Sequence, residues 1–580
     1  MLACSCTPNG GALLAAPPLA APPGRVNANE GDTGIMIFKN HLALSGAVSL
    51  AAMLAAGSAQ AQSASPSAEQ VDRLQAQIKT LERELQGLKG KVDKADAERA
   101  SADKAYAAAT PLAKAPAAPP SAVAKMSAGN RPSICTADGL NCVALTSRVH
   151  FDVGGYWYHP NTPAAAGFNP ATGAAIVAGG APANLDNGFN ARRARIGVLG
   201  TFMGDWNYAL VYDFGGSADG FPPVAGSPAS GIENAYLSYV GFKPLAIEGG
   251  YMDMLYTLDE ATSSNDIMFM ERASAGVIAT SIAAGDGRSG FGVRGNDDRF
   301  WGGAYVTGPA SGTTHVFTPS ANNSGAVQPA LGTPGFSEQI GGFGRVTYQL
   351  LQDKNYSLHI GADAEFLIMP TGLKTLTLSD RPELRIDPTS ILSTGGIANV
   401  ADAQVYSGEV AAGYSSLFFQ GEYFWYNVDR NLGLPSVHFT GWYAEGSWTI
   451  TGESRKYNPA AGAYGGIVPD RPFSLSKGDP GAWEIAARFS HVGLNDLFTP
   501  GIPAATTFGV AGGEQNIWTI GLNWYVNRNV RIMVNYLHGT VDKNSAAATA
   551  AVAGLNPAFP AGTDVGAKFD ALAMRTQIAF

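Results

Sequence analysis

Apolar and polar side chains alternate with period two along the last twelve residues, 569–580. Leu572, Met574, Thr576, Ile578 and Phe580 fall on one face, and Ala571, Ala573, Arg575 and Gln577 on the other. Successive side chains of a strand point to opposite faces, so the segment predicts a strand with one mostly apolar face and one that tolerates charge. A strand of this kind that ends on an aromatic carboxyl terminus fits an outer-membrane barrel, with its apolar face against lipid and its polar face against water. Phe580 is then the membrane-insertion signal that barrel-assembly machinery reads. A soluble β-sandwich is the competing source of such alternation.

The pattern recurs upstream as strand, gap, strand. It predicts sixteen strands, at 147–159, 189–203, 206–214, 231–242, 244–254, 286–296, 298–308, 339–352, 355–369, 402–413, 415–428, 437–452, 482–494, 514–526, 530–541 and 568–580. Tight turns such as Gly204-Asp205, Asp353-Lys354 and Asn527-Arg528-Asn529 alternate with long gaps such as 160–188, 255–285 and 370–401. Short turns at one end and long loops at the other are the mark of an outer-membrane barrel. Trp518, Ile520, Leu522 and Trp524 share one face of their strand, and Leu210 and Tyr212 oppose Asp213 on another. Two stretches fit less well. Residues 453–481 fall where a short turn belongs yet are long and rich in Gly and Pro, so either a strand is miscounted or the segment folds into the lumen. The apolar stretch 275–283 is a possible further strand, which would change the parity.

Ahead of the barrel region, 147–580, the period changes. Residues 1–61 read as a signal-peptide region whose true start is Met36: Lys39, an apolar run over 42–56 and Ala59-Gln60-Ala61 give a basic start, an apolar middle and a small-x-small cleavage site. An N-terminal anchor is the alternative, although the apolar run is short for a span. Over 67–104, Val71, Leu74, Ile78, Leu81, Leu85, Leu88 and Val92 repeat at alternating spacings of three and four, an a/d seam that predicts an α-helical coiled coil. Its a positions lean towards a dimer, while Leu85 leaves a trimer open. Residues 105–146 combine an Ala/Pro-rich linker with Cys135 and Cys142, which flank a turn at Asp138-Gly139. In an oxidising compartment such a pair predicts a disulfide, and a metal site would need more ligands nearby.

Composition narrows the function classes. Only 15% of the 580 residues are charged, yet after the N-terminal region no apolar run reaches the length of a helical span. The net charge of −9, without basic clusters, argues against nucleic acid as a partner. The eight His are scattered, and neither Gly-x-Ser-x-Gly nor His-Glu-x-x-His occurs, so no enzyme is expected. No cofactor or metal is called for.

Short collinear motifs carry a family resemblance over roughly 147–580. Ala191-Arg-Arg-Ala-Arg-Ile-Gly-Val-Leu-Gly200, Asp205-Trp-Asn-Tyr-Ala-Leu-Val-Tyr-Asp-Phe214, Asn234-Ala-Tyr-Leu-Ser-Tyr239, Gly241-Phe-Lys-Pro244, Thr262-Ser-Ser-Asn-Asp266 with Met270-Glu-Arg272, Thr451-Gly-Glu-Ser-Arg455, Trp483-Glu-Ile-Ala-Ala-Arg-Phe-Ser490 and Gly521-Leu-Asn-Trp-Tyr525 resemble the phosphate-selective porin O/P family. The resemblance implies an all-β, sixteen-stranded, antiparallel transmembrane barrel, a homotrimer in outer-membrane lipid. It also implies constriction loops folded inward and passage of small hydrophilic solutes or anions past a ladder of lumenal cations. Arg193 and Arg195 share a strand face opposite Ile196 and Val198, which points both to the lumen. Arg272 and Arg288 near the constriction loop, and Arg455, Lys456 and Arg471 in the anomalous connection, are the other candidate pore-lining cations. The bland reading is that such arginines pair with lumenal carboxylates. The constriction loop is itself acidic, with Asp259, Glu260, Asp266 and Glu271, and 309–337 holds no Lys or Arg, so a general or weakly selective pore is expected. A structural tether from the outer membrane to the periplasm, through the coiled coil, is the alternative function.

Overall fold

The computed structural model describes residues 122–580 apart from 128–129, 163–183, 216–230, 286, 311–338, 354, 371–373 and 547–560, together with positions between 76 and 101. It divides into two compact units, Met1–Ala115 and Pro116–Phe580. In the first, every described position from 76 to 101 is helical, and Lys94 and Glu98 pair one turn apart at 4.0 Å. The seam positions Val71 to Val92 and the signal-peptide region lie outside the described residues.

The second unit is a closed antiparallel barrel of sixteen strands. They are β1 (Cys142–Pro160), β2 (Gly188–Phe202), β3 (Trp206–Asp213), β4 (Gly231–Tyr239), β5 (Leu245–Met252), β6 (Arg288–Asn296), β7 (Phe300–Ala310) and β8 (Ile340–Gln352), followed by β9 (Tyr356–Met369), β10 (Val400–Tyr414), β11 (Leu417–Arg430), β12 (Val437–Thr449), β13 (Ala482–Asp496), β14 (Val510–Tyr525), β15 (Val530–Asp542) and β16 (Ala567–Ala579). Each pairs with the next, and β16 closes on β1 in a register running from Ala567↔Pro160 to Ala579↔Arg148. All sixteen fall where the period-two pattern puts them. Closure leaves no lateral edge, which suits a sheet whose outside meets lipid.

The alternation sets the two faces. On β16, Leu572, Met574 and Ile578 are exposed on the outside, while Ala571, Ala573, Arg575 and Gln577 are buried inside. The outer row of β14 is Trp518, Ile520 and Leu522. Aromatic pairs such as Trp206–Tyr239 and Trp483–Trp524 sit at the short-turn end, where an interfacial girdle belongs.

The hydrophobic core lies within the barrel, where loops meet the wall. The β5–β6 loop carries helix α1 (Leu258–Ala261) and helix α2 (Ser274–Ala283). Ile278, Ala279 and Ile282 of α2 are fully buried among Leu378, Leu392 and Ile397 of the β9–β10 loop and wall residues Val405, Phe424, Tyr426 and Phe439. Residues 275–283 are therefore helix, not a seventeenth strand. β5 and β6 pair directly from Leu245↔Gly295 to Met252↔Arg288, which leaves no place for a strand between them. The long β12–β13 connection also folds inward from the short-turn end: Ala463, Tyr464 and Ile467 are buried, and the carbonyls of Ala460, Ala461 and Gly462 take hydrogen bonds from Arg294, Trp301 and Arg345 on the inner faces of β6–β8.

If the outer face meets lipid, Val346→Arg at the middle of the outward row of β8 will cost about 2–4 kcal/mol, the penalty of a charge near mid-bilayer. The guanidinium midpoint of the folded barrel in lipid vesicles reads this, with Val346→Thr as the mild control.

Candidate functional site

The lumen wall is electrostatically two-sided. Acidic side chains line four successive strands: Asp363 and Glu365 on β9, Glu409 on β10, Glu422 on β11 and Glu445 on β12, all buried. Arginines dominate the inner faces from β13 round to β2: Arg488, Arg531, Arg575, Arg148, Arg192, Arg193 and Arg195. The inner row of β2 is denser than period two allows. The β1–β2 register shifts between His150↔Arg193 and Asp152↔Asn190, so two residues of β2 oppose one of β1. That bulge turns Arg192 inward beside Arg193.

The β5–β6 loop lies between these walls as a pinned segment. At its start, Glu422 accepts the N–H groups of Leu258 at 2.7 Å and Asp259 at 3.1 Å, so a wall carboxylate binds the free donors that open α1. Further on, Arg531 donates to the carbonyls of Asn265, Ile267 and Met268, Gln577 to Asn265, Asn523 to Met268, and Arg575 to Met270. Arg148 reaches the hydroxyls of Ser263 and Ser264, and His150 lies 3.2 Å from Asn265 Oδ1. A segment of turns and bends away from water leaves most of its carbonyls without backbone partners, and wall donors supply them.

Glu271 is where this pinning converges. Arg192 grips it with two bonds, at 2.8 and 3.1 Å, Arg575 reaches it at 2.6 Å, and Arg385 of the β9–β10 loop lies at 3.8 Å. Burial alone would raise this carboxyl, but Arg192, Arg575 and Arg193 outweigh it and hold Glu271 well below the usual carboxylate range. Asp259 and Asp266 on the same loop are pushed up instead, because burial there exceeds the help from Arg272 and Arg455 respectively.

The predicted cations take different places. Arg193 is 1% exposed, within electrostatic reach of Glu271 and His150. Arg195 pairs with Asp213 at 2.8 Å and with Glu233. Arg272 braces its own loop, bonding the carbonyls of Asp259, Glu260 and Thr262 and pairing with the Glu260 carboxylate. Arg288 caps the end of α2 through the carbonyls of Ser281 and Ala284. Arg455 grips Glu484 with two nitrogens and donates to the Asp266 carbonyl at 2.6 Å, joining the β12–β13 segment to the pinned loop. Lys456 is exposed, and Arg471 is exposed with Asp479 at 3.9 Å. Cys135 and Cys142 form a disulfide. Phe580 pairs with Ser147 at the seam of the barrel.

The candidate cations named from the sequence left out Arg192, Arg345, Arg488, Arg531 and Arg575. The last four sit at regular inward positions, and period two already puts Arg488 and Arg575 on the polar faces of their strands. Arg192 could not be found that way, because it depends on the bulge. Asp363, Glu409 and Glu422 bring carboxylate oxygens within 4.8 Å of one another, a spacing that fits a cation. Glu409 is already engaged by Arg345 and His359, Glu422 by two backbone N–H groups and Tyr443, and Asp363 by Ser407. The cluster is thus built into the loop anchorage.

The family described as phosphate-selective porin O and P matches residues 171–580. Porin O of Pseudomonas aeruginosa is 23% identical over 374 residues, covering 61% of this chain and 76% of that protein. Among solved structures, OmpT of Vibrio cholerae matches with a TM-score of 0.40 at 11% identity, covering 76% of this chain and 99% of that one. The anion-selective porin from Comamonas acidovorans matches with a TM-score of 0.40 at 12% identity, covering 76% and 100%.

Glu271→Gln will leave three arginines facing a neutral amide, at about 3–5 kcal/mol for breaking a buried ionic contact. The expected readout is a loosened loop: larger and noisier single-channel current from a barrel that still folds. In the unaltered protein, a depressed carboxyl contributes its full stabilisation above its unfolded value, about pH 4.3, and loses it as the pH falls through the lower folded value. The share of the noise that Glu271 controls, read as the difference between the unaltered protein and Glu271→Gln, should therefore stay constant from pH 7 to about 4.3 and shrink only below that.

Proposed function

The chain belongs to the phosphate-selective porin O and P family, an outer-membrane channel family, and we propose that it passes small hydrophilic solutes by passive diffusion with only a weak preference for anions. One observation carries the weak preference. The guanidiniums around the inward loop are held by protein acceptors: Arg192 by Glu271, Arg345 by Glu409, Arg455 by Glu484, Arg488 by Glu383 and Arg575 by Asp152. A guanidinium gripped by a carboxylate has little left to offer a passing oxyanion, and a tightly matched pair has a weak outward field. The acidic wall of β9–β12 further offsets the positive one. Within the predicted set, Arg193 and Arg195 remain the wall cations of β2, and Lys456 and Arg471 are water-exposed, Arg471 with Asp479 nearby and Lys456 with no ion pair among the described residues.

The even strand count leaves the start of β1 and the end of β16 at the short-turn end, which is periplasmic in outer-membrane barrels. We place the N-terminal helical segment in the periplasm on that basis. The reading as a homotrimer rests on the family, and the heptad seam, whose a positions lean towards a dimer, leaves a trimer open.

The reversal potential of the purified protein in a planar bilayer under a KCl gradient, repeated with added phosphate, tests the reading. A potential modestly on the anion side, with little block by phosphate, is expected. A potential near the chloride limit with strong phosphate block would replace weak preference by a true oxyanion track. Reproducible absence of channels from folded protein would overturn the diffusion reading and favour the tether.

A further inference from the structure

Three carboxylates stand together on the inner faces of adjacent strands: Asp363 of β9, Glu409 of β10 and Glu422 of β11. Glu409 and Glu422 are direct partners across the β10–β11 pairing. Asp363 is opposite Ser407, two residues from Glu409 on the same side of β10. Like charges directly opposite one another destabilise a sheet. Here one oxygen of each carboxylate lies within 4.8 Å of the others, and no residue of the three is more than 5% exposed.

The protein's own partners leave a remainder. Arg345 pairs with Glu409 at 2.9 Å and lies within electrostatic reach of all three carboxylates. His359 also bonds Glu409. Neither Asp363 nor Glu422 makes an ion pair among the described residues. With His359 neutral, three carboxylates against one guanidinium leave two negative charges away from water, and an uncompensated buried charge is strongly destabilising. The hydrogen bonding has a remainder as well. Ser407 donates to Asp363 Oδ1 at 2.6 Å, whereas Asp363 Oδ2 has no hydrogen-bond partner. The Tyr256 hydroxyl is fully buried, has none either, and lies within electrostatic reach of Asp363. Loop anchorage explains Glu422, and Arg345 explains Glu409, but neither explains the free oxygen of Asp363.

We propose that Asp363, Glu409 and Glu422 hold one divalent cation of the calcium class, which ties β9, β10 and β11 together behind the start of the inward loop. Ligands that are all oxygen select a hard cation. Two oxygens bonded to one calcium at about 2.4 Å stand at most about 4.8 Å apart, the limit within which these three lie. A dication matches the two uncompensated charges, and Asp363 Oδ2 offers it an oxygen that no protein donor claims. Carboxylate oxygens that already accept a hydrogen bond keep a second lone pair for the metal. The part played is structural. Glu422 holds the N–H groups that open α1, so a cation that fixes Glu422 also fixes that end of the loop.

Terbium, a luminescent stand-in for calcium, reads the site, because Tyr443 donates to Glu422 at 2.6 Å and is close enough to sensitise its emission. The full-length barrel in detergent, stripped with EDTA at neutral pH, should give tyrosine-sensitised emission that calcium displaces. Calcium should bind at about one ion per chain, half-saturating at or below about 1 mM. Asp363→Asn keeps the side-chain shape and should raise the half-saturating concentration at least about tenfold. Should that variant not fold, Glu422→Gln carries the same comparison. Glu514→Gln, which removes an exposed carboxylate from the outer face of β14, should leave binding unchanged. In planar bilayers EDTA should make the current of the unaltered protein noisier and calcium should quieten it, with neither effect in Asp363→Asn. No stoichiometric binding by the folded, unaltered protein up to about 10 mM calcium would overturn the proposal and assign the surplus charge to bound protons. Equal binding by Asp363→Asn would overturn it too, since the ion would then sit elsewhere. Binding is read without current, so either failure leaves the porin reading intact.

Discussion

Residues 258–272 cross the inside of the barrel largely without a ladder of their own, and much of the lumen is arranged to satisfy them. Away from water, an unpaired carbonyl or carboxylate is costly, and a chain carrying both would not stay there unaided. The wall meets the need by type. Arg531, Asn523, Gln577 and Arg575 take the carbonyls. Glu422 takes the donors that open α1, and Arg192 with Arg575 takes the one strongly held carboxylate, Glu271. Remove the loop and these wall groups would lose their partners as surely as the loop would lose its own. Loop and wall are thus mutually required, and the two-sided charge pattern of the wall follows from which end of the loop each side must hold.

The same logic accounts for the other inward segments. The β9–β10 loop brings Glu383 to Arg488 at 2.6 Å and Arg385 to Asp380 at 2.7 Å, so it joins the ionic lattice while its Leu378, Leu384 and Leu392 fill apolar space. The β12–β13 segment enters from the opposite end and meets the pinned loop through Arg455 and the Asp266 carbonyl. Three segments from two ends therefore share one network. A change at one of them should be felt at the others through arginines that have two partners, Arg455 and Arg575 above all.

Most of the barrel was legible because its signal is local. Alternation along β16 or β14 needs only the strand itself, and turns such as Gly204-Asp205 or Asn527-Arg528-Asn529 punctuate it. What stayed hidden depends on distant partners. The run 275–283 reads as a short apolar stretch of either kind, and only its burial among loop and wall residues makes it a helix. The inward turn of Arg192 depends on a register shift that no single strand reveals. Glu271 looked like one more acid on an acidic loop, and its part as an anchor comes from arginines 79 and 304 residues away in the chain. The motifs Thr262–Asp266 and Met270–Arg272 stood out only by resemblance, and they prove to be the segment the wall holds most densely.

A hairpin of Val123–Met126 and Pro132–Cys135 precedes β1, and the seam of the barrel gives it a structural origin. β1 begins at Cys142, whereas the pairing with β16 and the residue after it reaches only as far as Phe580 opposite Ser147. The first residues of β1 thus extend beyond the end of β16, with an open edge on that side. Open edges invite pairing with another chain, and short covering strands are one remedy. Pro132–Cys135 covers the edge of β1, and the new outer strand, Val123–Met126, is only four residues long with a lysine in it. Edge protection therefore accounts for the hairpin, and the Cys135–Cys142 disulfide holds the covering strand on β1.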